Sequence, residues 1–403
     1  MGRRRDRRQL SAPAAGAGAR GVDRRLFVLV GALVLAEVMF YAVLTPLLPY
    51  YRQHLGLSKS GAGLLSAFYA FGAVAFSVPA GFLVGRVGAK RTVLAGTALL
   101  AAASVAFGFL RVVPGLDAAR LVQGAGGACI WSGGLAWLVA RAAAEQRGEV
   151  VGAVLGIGIG GALLGPVLGA AATVSSPELI FSLIAALIAV LGMWAATVEG
   201  APTTSPSSLA DLLGAAWNDP RVWAGLWFTA VPAVVFGVLE VLAPLRLAAL
   251  GADAAAIGAI FFVAAAIEAA MSPLFGRLSD RRGAIPVARA GLIASAVMAI
   301  VLALPTTVGI LAVAIVAASI AFGSPWVPAS SLLSASAEDR GLGQGIAFAL
   351  WNLAWGIGQA VGSAGGAGLA QATSDAVPYL LLAAACAATI PLARATYARS
   401  TYP

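Results

Sequence analysis

Four ionisable side chains stand out inside long apolar runs of this 403-residue chain: Glu37, Arg120, Glu240 and Glu268. A charge at the centre of a bilayer costs about 2.5–3.5 kcal/mol on insertion scales, so such residues are rare without a function. A carboxyl removed from water is less costly as the neutral acid than as the anion. It can therefore take up and release a proton near neutral pH. The three acids and the arginine are candidates for holding a proton or a charged solute, and each could instead make a structural hydrogen bond or clamp. Trp131, Trp351 and Trp355, with Phe40, Tyr41 and Phe236, could line an apolar pocket suited to a flat or cationic molecule, or could pack or face lipid.

The elements that must carry these residues are membrane spans. Hydrophobic residues make up 60% of the chain and charged residues 11%, against about 25% charged in a soluble domain. This composition excludes a soluble enzyme, a disordered chain and a nucleic-acid-binding domain. A spanning helix needs about 20 apolar residues, and twelve runs qualify: 26–50, 61–84, 92–112, 115–140, 149–173, 178–197, 222–247, 253–277, 286–305, 309–333, 342–369 and 376–396. With the N-terminus inside, 21 of the 26 basic residues fall in the tails and inside loops, and Arg52, Lys59, Arg111 and Arg246 fall outside. Both termini are then expected in the cytoplasm. At 1.5 Å per residue Arg120 lies about 8 Å below the outer face and Glu240 about 10 Å, so the two share a depth that Glu37 does not.

A polar, proline-containing segment at 198–221 splits the chain into two halves. A shift of 195 residues superposes them without a gap over about 54 residues. Val43, Leu44, Pro49, Gly56, Gly63, Gly81, Leu83, Arg86, Gly88 and Gly96 fall on Val238, Leu239, Pro244, Gly251, Gly258, Gly276, Leu278, Arg281, Gly283 and Gly291. Parallel repeats of this kind are a transporter architecture, with the solute site between the halves. The expected division is a basic tail (1–25), a six-helix bundle (26–197), the linker (198–221), a second bundle (222–396) and a short tail (397–403). The expected fold is an all-α membrane protein with twelve transmembrane helices in two pseudo-symmetric six-helix bundles.

GFLVGRVGAKR from Gly81 and GRLSDRRG from Gly276 resemble the basic-loop signature of the major facilitator superfamily. Its glycines would allow close helix approach and a tight turn. Its arginines could pair with an acid or cap helix ends. The second copy keeps its acid as Asp280. The first has Gly85 there, which leaves the gating role of that acid without a residue in the first half. RLVQGAGGA from Arg120, including Gln123, is similar to the superfamily's fourth-span signature. Gly152, Gly161, Gly165, Pro166 and Gly169 resemble the fifth-span signature of its proton-coupled exporters. Glu37 and Glu240 stand where the drug–proton antiporter branch, which includes the vesicular monoamine transporters, carries acids in spans 1 and 7. That branch has a third acid in span 11, and Asn352 occupies the position here, so its stoichiometry does not carry over.

The resemblance implies a secondary transporter, not an enzyme, that exports a small hydrophobic or cationic compound, drug or metabolite, in exchange for protons. Its partners would be that solute, protons and membrane lipid. It would act as a monomer in the cell membrane, with no nucleic acid and no cofactor. GxxxxGK[ST] is absent, which argues against ATP as the driving force. Uptake of a nutrient such as a sugar and a non-transporting receptor are the competing readings. No His/Cys/carboxylate cluster at metal spacing supports catalysis. Cys129 and Cys386 read as packing residues, and His54 as a loop residue before span 2.

Overall fold

The computed structural model describes residues 23–142, 146–200, 219–339 and 344–400, and among them every element is helical. Most of the expected tails and linker (1–22, 201–218, 401–403), with Arg340, lies outside the described residues. In the first half the helices are α1 (Arg24–Ala42), α2 (Leu44–Leu55), α3 (Lys59–Val87), α4 (Ala89–Phe109), α5 (Val113–Arg141), α6 (Arg147–Val174) and α7 (Pro177–Thr197). In the second they are α8 (Pro220–Ala249), α9 (Ala254–Arg282), α10 (Ala284–Leu302), α11 (Val308–Gly323), α12 (Trp326–Asp339) and α13 (Gln344–Ala360). A π-helical turn (Val361–Gly365), α14 (Gly366–Ala372) and α15 (Ala376–Ser400) complete it.

Nine helices among the described residues are long and apolar enough to cross a membrane, counting α1–α2 and α11–α12 as one each. The other three expected spans fall on helix as well. Glycines, Gln123 and tryptophans dilute the hydropathy of α5, the eleventh expected span is interrupted by the π turn, and the apolar part of α15 is short.

Three local expectations need correction. His54 is not in a loop: α2 runs on to Leu55, and the ring stacks on Tyr50 with centroids 4.0 Å apart. The tenth expected span is not continuous. It breaks at Ser324–Pro325, where proline has no N–H to give the ladder. The eleventh is not plain α-helix either, because five residues containing Gly362 and Gly365 widen into the π turn.

The 195-residue repeat persists in the backbone. Gly56 and Gly251 both take positive φ (64° and 96°), as do Gly88 and Gly283 (90° and 86°). Gly88 and Gly283 make the tight turns that the basic loops require. Contacts repeat too. A Cβ on Gly96 would meet Cys129, and one on Gly291 would meet Ser324, and both partners are also 195 apart. Gly63 lies against the Ser363 backbone of the π turn, and Gly258 against the Pro166 backbone of α6. Thus α3 meets the second half while α9 meets the first.

Capping fixes the helix starts. Asp23, Ser58, Ser176, Asp219, Asp253 and Thr307 each accept hydrogen bonds from first-turn N–H groups. Asp219 also binds α12, accepting from Ser336 Oγ at 2.5 Å, while Arg221 reaches Asp339 at 2.6 Å. Burial pushes the Asp219 carboxyl up. Hydrogen bonds from Ser336 and Arg221 more than offset that and hold it below the ordinary aspartate value.

Candidate functional site

Glu37 lies on α1 and is fully buried. Tyr69 Oη of α3 donates to its Oε1 at 2.6 Å, and Trp131 Nε1 of α5 to its Oε2 at 3.1 Å. Gly127 leaves it room, since a Cβ there would stand 2.6 Å from Oε1. One turn further along α1, half-buried Tyr41 donates to Glu240 Oε2 of α8 at 2.7 Å. Gln359 Nε2, at the end of α13, donates to the same oxygen at 2.6 Å and lies 2.7 Å from the Tyr41 hydroxyl. Both acids thus receive neutral donors, and Tyr41 joins the first half to the second.

Arg120 of α5 lies between them, 1% exposed. It donates to Gln123 Oε1 at 2.6 Å, and its guanidinium carbon stands 5.5 Å from the Tyr41 ring and 5.2 Å from the Tyr69 ring. Such placement over two π faces is favourable. A small cavity is lined by Arg120 and Glu240 with Tyr41, Ala42, Leu44, Thr45, Leu48 and Ser66. Glu37 is not among its lining residues.

The expected aromatics divide. Trp355 packs on Tyr41 (5.8 Å) and Tyr69 (6.4 Å) beside the acids, and Trp131 binds Glu37. Phe236 stacks on Trp326 at 4.8 Å, and Trp326 meets Trp351 edge-on at 6.2 Å, a separate aromatic group in the second half. Phe40 is no pocket residue: it is fully buried against Phe107 and Phe181. Glu268 on α9 lies against α11, where a Cβ on Gly323 would come within 2.5 Å of its Oε1. Asn352 is half-buried, two turns before Gln359, and Gln359 is the residue that reaches Glu240.

Sequence reasoning missed Tyr69, Gln359, Thr45 and Ser66. Gln359 was the most accessible to it: an amide in an apolar run seven residues beyond Asn352 shares its helix face. Tyr69 carried no such signal, because a lone tyrosine in a span is ordinary.

The glycine motifs divide between the two ends of the helices. Gly161 would clash with Leu35 O (2.5 Å), Gly165 with Met39 O (2.7 Å) and Gly169 with Val43 O if any carried a Cβ, so α6 lies backbone to backbone on α1. Pro166 presents its carbonyl to Gly258. At the other end Gly81 and Gly152 have nothing within 4 Å and Gly276 only Val327 at 3.9 Å. The close approach expected of Gly81 and Gly276 is therefore not made in this conformation. Among the described residues Arg86, Arg281 and Asp280 join no ion pair. At the end that carries Lys59 the two halves touch. Lys59 Nζ is 2.5 Å from Asp375 Oδ1, and Ser60 N donates to Gln371 Oε1 at 2.8 Å.

Known proteins resemble the chain in sequence and in fold. The family model described as Major Facilitator Superfamily matches residues 30–248 and 234–401. An MFS-type transporter of Schizosaccharomyces pombe is 31% identical over 137 residues, 32% of this chain and 31% of that protein. MFS-type transporter ppzB of Metarhizium rileyi is 29% identical over 120 residues, 28% of this chain and 25% of its own length. The matched region thus spans about a third or less of these relatives. Among solved structures, a bacterial homologue of the lysosomal transporter Spinster, inward-facing and unoccupied, superposes with a TM-score of 0.75 at 14% identity, covering 94% of this chain and 97% of that one. The nucleoside transporter NupG gives 0.72 at 14% identity over 94% and 100%. The fold is therefore that of these transporters, and the chain belongs to the major facilitator superfamily, a family of membrane transporters rather than enzymes.

Proposed function

We propose that the protein is a twelve-span proton antiporter of the drug–proton antiporter branch. It would export a small hydrophobic or cationic compound across the cell membrane by alternating movement of two six-helix bundles, with both termini in the cytoplasm. The observation that carries this reading is the Glu37–Tyr69 and Glu240–Tyr41–Gln359 pair of hydrogen-bonded acids, the first buried and the second half-buried, at the meeting of α1, α3, α5, α8 and α13. An acid held by neutral donors can exist as the neutral acid without losing its setting. A cationic solute arriving at Glu240 replaces the departing proton, so the charge in the site is unchanged. Proton and solute exclude each other, and that exclusion couples their fluxes. Contact between the halves at the Lys59–Asp375 end and open glycines at the Gly81 end support solute entry from the cytoplasmic side.

The test is transport by purified protein in liposomes with and without an imposed pH gradient. Glu240→Gln keeps size and hydrogen bonding but cannot ionise, and it should abolish the gradient-driven component. Glu37→Gln should lower affinity for cationic solutes more than for neutral ones. Gradient-dependent transport surviving in both variants would move the coupling site elsewhere, with Glu268 next in line. Counterflow of a sugar without any proton requirement would replace export by nutrient uptake.

A further inference from the structure

The acids are provided with donors, but the base is not provided with an acceptor of opposite charge. Among the described residues no carboxylate lies within 4.0 Å of Arg120. Its Nε has no hydrogen-bond partner, nor has Nε2 of the neighbouring Gln123. Arg120 nevertheless lines the cavity, and Thr45 and Ser66 line it as well. Guanidinium, amide and hydroxyl groups are all donors. When Glu37 and Glu240 carry protons, Arg120 is the one formal charge of the cluster. The cavity is then electropositive and donor-rich, the setting in which an arginine fork holds a carboxylate.

We propose that this cavity seats a carboxylate of the transported compound, so that the substrate class is amphoteric. An apolar body would rest against Tyr41, Tyr69 and Trp355, an amine would face Glu240, and an acid group would face Arg120, Thr45 and Ser66. Both hydrogen bonds of Glu240 fall on Oε2, which leaves its other oxygen for the amine. In this conformation the cavity has about 10 Å³, room for about one water, so the acid group would enter as the cavity widens, with the body outside it, toward Trp355. This inference rests on the antiport reading for the role of Glu240, but binding at equilibrium requires no gradient and tests it separately.

The probes are phenylalanine, its methyl ester, phenethylamine, 3-phenylpropionate and chloride, titrated against the tryptophan fluorescence of the purified protein. Phenylalanine should bind at least tenfold tighter than its methyl ester and than phenethylamine. Arg120→Gln should bring the three within twofold, with Arg120→Lys in between. Thr45→Val and Ser66→Ala should each weaken phenylalanine severalfold and leave phenethylamine unchanged, which keeps the test open if Arg120→Gln fails to fold. Any one of four results would overturn the proposal: no preference for the acid, a preference that survives Arg120→Gln, protection by chloride equal to that by 3-phenylpropionate, or no binding by any probe. Such a result with gradient-dependent transport intact leaves the antiport reading standing. Loss of gradient dependence with the acid preference intact does the reverse.

Discussion

Gln359 ties Tyr41 to Glu240 and packs closely on α8. Its Nε2 serves both the Tyr41 hydroxyl and Glu240 Oε2, and a Cβ on Gly237 would press on its backbone carbonyl at 2.7 Å. Replacement by Leu removes the amide and leaves Glu240 with Tyr41 alone. A buried polar group that loses one partner costs about 1–3 kcal/mol. Gln359→Leu should therefore lower gradient-driven transport severalfold. The transport rate in liposomes, set against the amount of inserted protein, checks this, and a wild-type rate would show that Gln359 is only a packing residue. The candidate acids themselves were legible in the sequence, because a charge in an apolar run is conspicuous. Their donors were not. Tyr69 and Gln359 reach the acids from other helices, 32 and 119 residues away in sequence, and no local pattern encodes a contact at that separation.

At the scale of the element, the glycines of α6 let it lie against α1. Gly161, Gly165 and Gly169 recur every four residues and so share one face, and that face lies against Leu35 O, Met39 O and Val43 O. Gly165→Leu would drive a branched side chain into the Met39 carbonyl and the Ala42 methyl, contacts of 2.7 and 2.5 Å already at Cβ. Small residues of this kind let helices associate in lipid. The variant should insert into the membrane but lose coupled export at least tenfold, measured as gradient-driven uptake into inverted vesicles against its surface expression. Wild-type export would reduce the motif to a coincidence of composition. Helix positions were readable because hydropathy reports burial in lipid directly. The breaks in the tenth and eleventh spans were not, since both segments stay apolar across Ser324–Pro325 and Val361–Gly365. A proline or a glycine pair permits a break without requiring one, and neighbouring helices decide.

For the molecule as a whole, the Lys59–Asp375 pair at 2.5 Å joins the start of α3 to the start of the last helix across 316 residues of sequence. Both side chains are partly exposed, so the pair contributes little to stability. Its effect falls on the balance between conformers, where a fraction of 1 kcal/mol already alters populations severalfold. Asp375→Asn should raise labelling of a cysteine placed at Thr45 by a membrane-impermeant reagent added from outside by two- to fivefold. The reversed pair Lys59→Asp with Asp375→Lys should restore the original rate. Equal labelling in all three proteins would show that the end is held shut by packing, through Gly63 and the Ser363 backbone, and not by charge.

That same helix, α3, contains an asymmetry with a wider meaning. Gly63 near one end is pressed against backbone, while Gly81 near the other has nothing within 4 Å. Glycine in a helix costs about 1 kcal/mol relative to alanine, and at Gly81 nothing in this arrangement offsets that cost. Its counterpart Gly276, 195 residues on, is nearly as bare. The chain thus retains at two symmetry-related positions a residue whose smallness has no use in the shape on view. If the bundles move as proposed above, these bare positions are where the far ends of α3 and α9 would close on their neighbours as their near ends do here.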